Sequence, residues 1–408
     1  MKFWNFHLFT FVTTTRIITT TITILINNDF LKHKQANILK VGHIGVQVKT
    51  PKEQLAMRPI LSATQTYNYT LAKWLDEKLK PLSCNQYTVT DTFQFVNEVQ
   101  SLEINRGDIL VSYDVTSLFT NVPLDETIQI LADKAFNDDW FNKTQELNLS
   151  RDQLIKLLNA ATKNQLFQFN GNLYEKTDGI AMGSPLGCLL TNVFTCCIED
   201  KLDQDGKLPS YYQRYVDVTF TIMPDIASAG IFLDTLNHCH PSGKFTMEVE
   251  RNVLLPFISV ELLNLAPRIM TKVYIKPTNT GLLLYYQSHM DNRYKHSLIT
   301  TMSGRAFRTS SNWLYFSQGC DWLETVFLKL KYLRHLFNLL VKQFVDSKVE
   351  DQQHIPSTKT TTPTIWVLIP FKDQASVNVM KKRLTDLSAK IKTTIQPVFI
   401  IRKLNEDL

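Results

Sequence analysis

Two aspartates stand where a carboxylate calls for a chemical reason. Asp114 closes the apolar run "GDILVSYDV" (107–115), which reads as a strand buried on both faces. Asp217 lies in "RYVDVTFTI" (214–222), at the bend between two short runs rich in β-branched and aromatic residues. A carboxylate on a buried strand is costly unless it is paired or bound to metal. If the two strands are neighbours, both carboxylates project at one end of a sheet. There they can hold Mg²⁺ ions about 3.5–4 Å apart, the arrangement that activates an attacking hydroxyl and stabilises a leaving pyrophosphate. Spacing alone leaves a second reading open, with Asp114 a capping residue and Asp217 an ordinary turn residue. The bend is also odd, because Val218 follows the aspartate and β-branched residues disfavour the positive φ of tight hairpin turns.

The elements that must position these residues follow from pattern. "TYNYTLAKWLDEKLKPL" reads as a helix ending at Pro81. Pro123, with Asp125 and Glu126 in the first turn, opens a helix carrying Leu124, Ile128, Leu131 and Ala135 on one side. Ser150 and Gln153 form a capping-box pattern, and "LFQFNGNLY" reads as a hairpin turning at Asn170-Gly171. Ser184 is placed to cap a helix with Pro185 at its first position and a stripe of Leu186, Leu189, Leu190, Val193, Phe194, Cys197 and Ile198. A helix over 226–238, a strand over 244–250 and the apolar segments "LPFISVELL" and "KVYIKP" come next. Residues 285–345 read as helical and basic, and 365–408 as strand, helix, strand. The fold class predicted is α+β, with a mostly antiparallel sheet.

The totals narrow the field. A chain of 408 residues can hold two or three domains, and 44% hydrophobic with 20% charged residues is ordinary for a folded protein. A net charge of +6 is compatible with nucleic acid without requiring it. None of the six cysteines forms a CxxC pair, so they read as reduced, mostly buried thiols of an intracellular protein, in nucleus or cytoplasm. "HCHP" (238–241) fits no common zinc spacing and reads as a helix end. Residues 1–40 are apolar and Thr-rich but broken by Arg16, and read as a poorly ordered leader.

The order "SYDVTSLFTNVP", "GIAMGSPLGCLLTNVF", "YQRYVDVTFTI", "LPFISVEL" resembles the successive motifs of a reverse transcriptase. With "RPILSATQTYNYTLAKWLDEKLKP", "YIKPTNTGLLLYYQSHMDNRY" and "LIPFKDQASVNVMKKRLTDLSAKI", it is similar to the Penelope-like retroelement class over about residues 55–408. The resemblance implies a right-hand polymerase: fingers-like region 41–106, palm 107–265, connection and helical thumb 266–350, linker 351–364 and a small strand–helix–strand segment 365–408. It implies an RNA template, a DNA primer, dNTP and Mg²⁺ or Mn²⁺, and no membrane partner.

By the same resemblance Asp114 and Asp217 are the catalytic metal ligands and Val115 offers a backbone carbonyl. Phe119 stands where a bulky ring excludes a 2′-hydroxyl; on its own it reads equally as core. Gly183 allows close backbone approach to the nascent base pair, beside Ser184. Arg58 falls in the fingers segment that contacts triphosphate and template, or is a surface arginine. Lys244 stands near the pyrophosphate. Arg293, Lys295, Arg305 and Arg308 are thumb residues able to follow a duplex backbone.

The chain departs from the family at one decisive point. The third palm motif is normally Tyr-x-Asp-Asp, and here it is Tyr215-Val216-Asp217-Val218. Cys188 and Ser259 are further departures, replacing a usual Pro and a usual Gly. Loss of the second carboxylate implies weak or absent polymerase activity. The alternatives are a catalytically inactive nucleic-acid-binding remnant and, more distantly, a metal-dependent hydrolase. No GIY-YIG endonuclease motif occurs before Leu408, so no nicking of target DNA is expected from this chain.

Overall fold

The computed structural model describes residues 6–8, 42–49, 56–63, 66, 68–163, 165–169, 172–176, 179–353, 364–391 and 393–400. The leader expectation falls almost entirely outside them; Phe6–Leu8 pairs as a strand with Asn172–Lys176. Most of the expected linker also lies outside, its first residues closing the helix Arg334–Gln353. The chain divides into two compact units.

The first unit, residues 1–95, 102–258 and 263–269, holds the site. Its central sheet has four antiparallel strands in the order Tyr212–Tyr215, Val218–Met223, Ile109–Val115, Phe245–Val249. Alternation along the strand puts Val111 and Tyr113 on one face, where they pack with Tyr212, Phe232, Leu236 and Leu202. On the other face Phe220 meets Phe95 and Phe257 in ring contacts. The central strand is therefore covered on both sides, as its continuous apolar run predicts. A larger apolar cluster joins the helices Tyr69–Leu79, Leu124–Phe136, Arg151–Thr162 and Gly187–Gln204, with Val115 and Leu118 at its edge.

The helix caps follow local chemistry. Ser150 and Gln153 make the reciprocal capping box that their spacing predicts. Pro123 precedes the helix Leu124–Phe136, whose first turn carries Asp125 and Glu126. A second sheet of five strands, Phe6–Leu8, Asn172–Lys176, Gln165–Phe169, Gly42–Lys49 and Ala56–Ser62, contains the predicted hairpin. Its turn at Asn170-Gly171 lies outside the described residues.

Ser184 corrects one expectation. The helix begins at Gly187 with Leu186 as its cap, and Ser184 makes no capping bond. Its amide donates to Ala181 O at 3.1 Å and its carbonyl accepts from Gly187 at 3.0 Å, so the chain is still turning at Pro185. The Ser184 hydroxyl is buried without a partner. The thiols correct another: Cys196 is the one fully buried cysteine, whereas Cys84 and Cys188 are exposed.

The second unit is mostly residues 270–408. Three helices, Asn292–Thr309, Trp313–Lys329 and Arg334–Gln353, pack around Ile299, Phe316, Phe327 and Phe337. Two parallel strands, Thr364–Pro370 and Thr394–Ile400, flank the helix Gln374–Ile391. Lys295 differs from its expected place: it is buried, with its ammonium 5.3 Å from the Tyr286 ring centre. Arg305 and Arg308 are exposed. No helix among the described residues is long and apolar enough to cross a membrane.

Candidate active site

The site is built at one end of the four-stranded sheet, with a residue from each strand. In the ladders Tyr215 pairs with Val218, Val218 with Asp114, and Asp114 with Thr246. Directly opposed residues share a face of the sheet, so these four side chains form one row across it. Asp114 and Val218 are half-buried, and Tyr215 and Thr246 are exposed. The row is the open end of the face that Phe220 closes further along. This is why an aspartate can end a strand whose other residues are buried.

Asp217 sits one residue before Val218, in the two-residue turn that joins the hairpin strands. Its carbonyl accepts from the Val115 amide at 2.9 Å, which ties the turn to the central strand beside Asp114. The turn's strain lies at Val216, with φ of +55°, and not at Val218, which is the first residue of its strand. A β-branched residue in the left-handed region is a costly choice, held only where neighbours fix it.

One neighbour is Arg214, which the sequence reading passed over. It is buried and paired with Glu199, Nε to Oε1 at 2.5 Å. Its Nη1 donates to Asn192 Oδ1 at 3.1 Å and to the Val216 carbonyl at 3.2 Å. Its Nη2 donates to Glu199 Oε2 at 3.2 Å, Thr88 Oγ1 at 3.2 Å and Cys196 Sγ at 3.3 Å. Glu199 also accepts from Tyr212 Oη at 3.0 Å and Asn85 Nδ2 at 2.9 Å. Burial disfavours the Arg214 cation, but Glu199 outweighs it and holds the guanidinium above its ordinary pKa. Burial, then the Glu199 charge, drives the Tyr212 hydroxyl well above its own. A partial signal was present in sequence: Asn192, Cys196 and Glu199 recur at i, i+4 and i+7, which puts a carboxylate in line with the helix's buried side, where it needs a cation.

The remaining candidates fall around this frame. Lys244 is exposed, and its carbonyl accepts from the Thr116 amide at 2.7 Å, two residues beyond Asp114. Val115 is buried in the core beside Leu118. Phe119 is half-buried against that core, and its carbonyl accepts from Ile180 at 2.7 Å. Its ring lies 3.4 Å from where a Cβ on Gly187 would stand. Gly183 has φ of +110°, and a Cβ there would stand 2.2 Å from the Leu61 carbonyl oxygen. An internal contact therefore already requires that glycine. Arg58 pairs through its backbone with Gln47; its side chain lies outside the described residues. Cys188, in the first helical turn, is exposed as a residue, but partial burial of its thiol, then the charges of Asp76 and Asp217, raise the thiol pKa.

The acids here, Asp114 in the row and Asp217 on the adjoining turn, carry hard oxygens, which suit Mg²⁺ or Mn²⁺ rather than softer metals. Two carboxylates are a normal protein share for Mg²⁺, which keeps waters or takes substrate phosphates for the rest. Among the described residues no group of three or more His, Cys, Asp or Glu converges as a metal site. "HCHP" lies at the end of the helix Ile226–Cys239, with His240 Nε2 3.2 Å from Glu126 Oε2.

No curated protein matches the sequence. The animal helix-turn-helix domain matches residues 282–339, within the helical part of the second unit. Telomerase from Candida albicans, solved in complex with a TWJ fragment of telomeric RNA, superposes with a TM-score of 0.53 at 10% identity, covering 85% of this chain and 65% of that one. Apo telomerase from Candida tropicalis gives 0.47 at 10% identity, covering 86% and 66%. The RNA-dependent RNA polymerase of bacteriophage phi12 gives 0.44 at 13% identity, covering 71% and 47%. This chain thus spans just under two thirds of the telomerase chains' length. At such identity the likeness is one of fold alone: a mixed helix and strand architecture with antiparallel sheets, similar to that of the Candida albicans telomerase chain.

Proposed function

We propose that this chain is the RNA-directed DNA polymerase domain of a Penelope-like retroelement, impaired by the loss of one carboxylate. The observation that carries this reading is the row Tyr215–Val218–Asp114–Thr246 with Asp217 on the adjoining turn. It combines a reverse-transcriptase-like fold with two acids at the end of its central sheet. Asp114, Asp217 and the Val115 carbonyl are the proposed ligands for Mg²⁺ or Mn²⁺, which when bound stabilises charge on the reacting phosphate.

The protein's own residues do the rest. Phe119 limits room beside the incoming sugar and favours dNTP over rNTP. Arg58 and Lys244 take the triphosphate and pyrophosphate, and Gly183 and Ser184 line the nascent pair. Residues 41–106 act as fingers, 107–265 as palm and 266–350 as connection and thumb, with Arg305 and Arg308 toward the duplex backbone. The RNA held by the Candida albicans telomerase supports an RNA template as partner.

Val218 favours a second reading, a catalytically inactive nucleic-acid-binding remnant. Losing a metal-facing acid removes a few kcal/mol of transition-state stabilisation, about a hundredfold in rate or more. Primer extension on an RNA template with Mg²⁺ or Mn²⁺ decides between them. Weak extension that rises at least about a hundredfold in Val218→Asp supports an impaired polymerase. No extension by the natural chain, with recovery in Val218→Asp, supports the remnant. Absence of extension in both, with no binding to a primer–template duplex, rules out both readings.

A further inference from the structure

The hairpin turn that carries Asp217 is held in an unfavourable backbone state, and the structure shows what holds it. Val216 has φ of +55° without being glycine, asparagine or aspartate. Such a conformation persists where surrounding bonds over-determine it. Each of the two turn carbonyls has a donor. That of Asp217 takes the Val115 amide, and that of Val216 takes Arg214 Nη1. The first bond comes from the central strand. The second comes from a guanidinium fixed in place by Glu199, Asn192, Thr88 and Cys196. Both ends of Arg214 are anchored, for its amide donates to Tyr87 O at 2.7 Å and its carbonyl accepts from Val89 at 2.8 Å.

We infer that Arg214 is a positioning residue: with Glu199 and Asn192 on the helix Gly187–Gln204, it locks the Val216–Asp217 turn and thereby sets where the Asp217 carboxylate stands relative to Asp114. The inference rests on the reading of Asp217 as a metal ligand for its functional consequence, but not for the locking itself. A buried ion pair that merely filled space would leave the turn indifferent to the identity of the cation. A guanidinium is a planar fork able to serve a carboxylate and a carbonyl together, which the point charge of a lysine cannot do.

The test uses the full chain, with amide hydrogen exchange at Val115 and Mn²⁺ titration followed by electron paramagnetic resonance. Arg214→Lys keeps the charge beside Glu199. It is expected to unfold cooperatively while the Val115 amide exchanges about tenfold faster and amides of the helix Gly187–Gln204 do not. Mn²⁺ affinity is expected to fall about tenfold to a hundredfold, as for other partners that orient a ligand. Asn192→Ala leaves the ion pair intact and is expected to move Val115 exchange in the same direction by less. Unchanged Val115 exchange in folded Arg214→Lys overturns the inference. If that variant does not fold, unchanged exchange in Asn192→Ala overturns it. If the natural chain shows no Mn²⁺ binding that Asp217→Asn abolishes, the metal reading fails, and Val115 exchange still decides the role of Arg214.

Discussion

Asp114 and Val218 are direct cross-strand partners on one face of the central sheet, at its solvent-reaching end. An aspartate at position 218 would therefore oppose Asp114 at close range. Like charges so placed repel unless a cation lies between them, by up to about 1 kcal/mol in a sheet. Val218→Asp is expected to be less stable than the natural chain in EDTA and to regain that stability in Mg²⁺. Urea unfolding of both proteins with and without Mg²⁺ measures the difference. Equal Mg²⁺ effects on the two would show that position 218 does not face the metal.

Glu199 holds a buried cation, so its removal leaves that cation unpaired. Glu199→Ala is expected to destabilise the protein by about 3–5 kcal/mol. The double change Glu199→Leu with Arg214→Met is expected to recover part of that loss, because two apolar residues replace the ion pair while Tyr212 Oη, Asn192 and the Val216 carbonyl lose a partner. The double variant should still show fast exchange at Val115, since the Val216 carbonyl has lost its donor. Urea midpoints and amide exchange on the same samples separate stability from positioning.

Gly183 and Gly206 both have positive φ but differ in what surrounds them. A Cβ at Gly206 meets nothing within 4 Å, whereas one at Gly183 collides with the Leu61 carbonyl oxygen. Gly206→Ala is expected to lose about 1 kcal/mol from backbone conformation alone. Gly183→Ala is expected to lose at least about 2–3 kcal/mol, because strand or loop must move. Denaturant unfolding of the two variants gives the comparison.

Val216 invites the opposite experiment. Val216→Asn places a residue that tolerates the left-handed region and is expected to stabilise the chain by about 1 kcal/mol. A stabilised variant with slower Val115 exchange would confirm that the strain lies in this turn.

Asp225 caps the helix Ile226–Cys239 by accepting the Ser228 amide at 2.7 Å. That bond holds its carboxyl below the ordinary value of 3.8. A depressed folded-state pKa contributes stability that is fully present above 3.8 and is lost as pH falls through the lower folded value. The first turn of this helix is therefore expected to exchange faster below about pH 4 once intrinsic rates are removed. Asp225→Asn, which keeps an acceptor but does not titrate, should flatten that dependence.

Much of the scaffold was legible because local chemistry dictates it. Ser150 and Gln153 announce their cap, the run 107–115 its doubly covered strand, and Leu124, Ile128, Leu131 and Ala135 their buried side. Ser184 misled for a local reason as well: the chain keeps turning through Pro185 and starts its helix only where Gly187 meets the Phe119 ring. Lys295 misled for a tertiary one, as Tyr286 covers its ammonium.

The sequence by itself determined that Asp114 ends a covered strand, that Asp217 sits on a hairpin turn, and that Val218 stands where a second acid is expected. The first two follow from period, turn length and residue type, which act over a few residues; the third is what the resemblance to the reverse-transcriptase motif implies. Only the tertiary structure decided that Tyr215, Val218, Asp114 and Thr246 share one row, because register between strands distant in sequence sets it. It also decided that the strain belongs to Val216 and that Arg214 bears on it. A buried charge finds its partners through space, and no spacing along the chain records them.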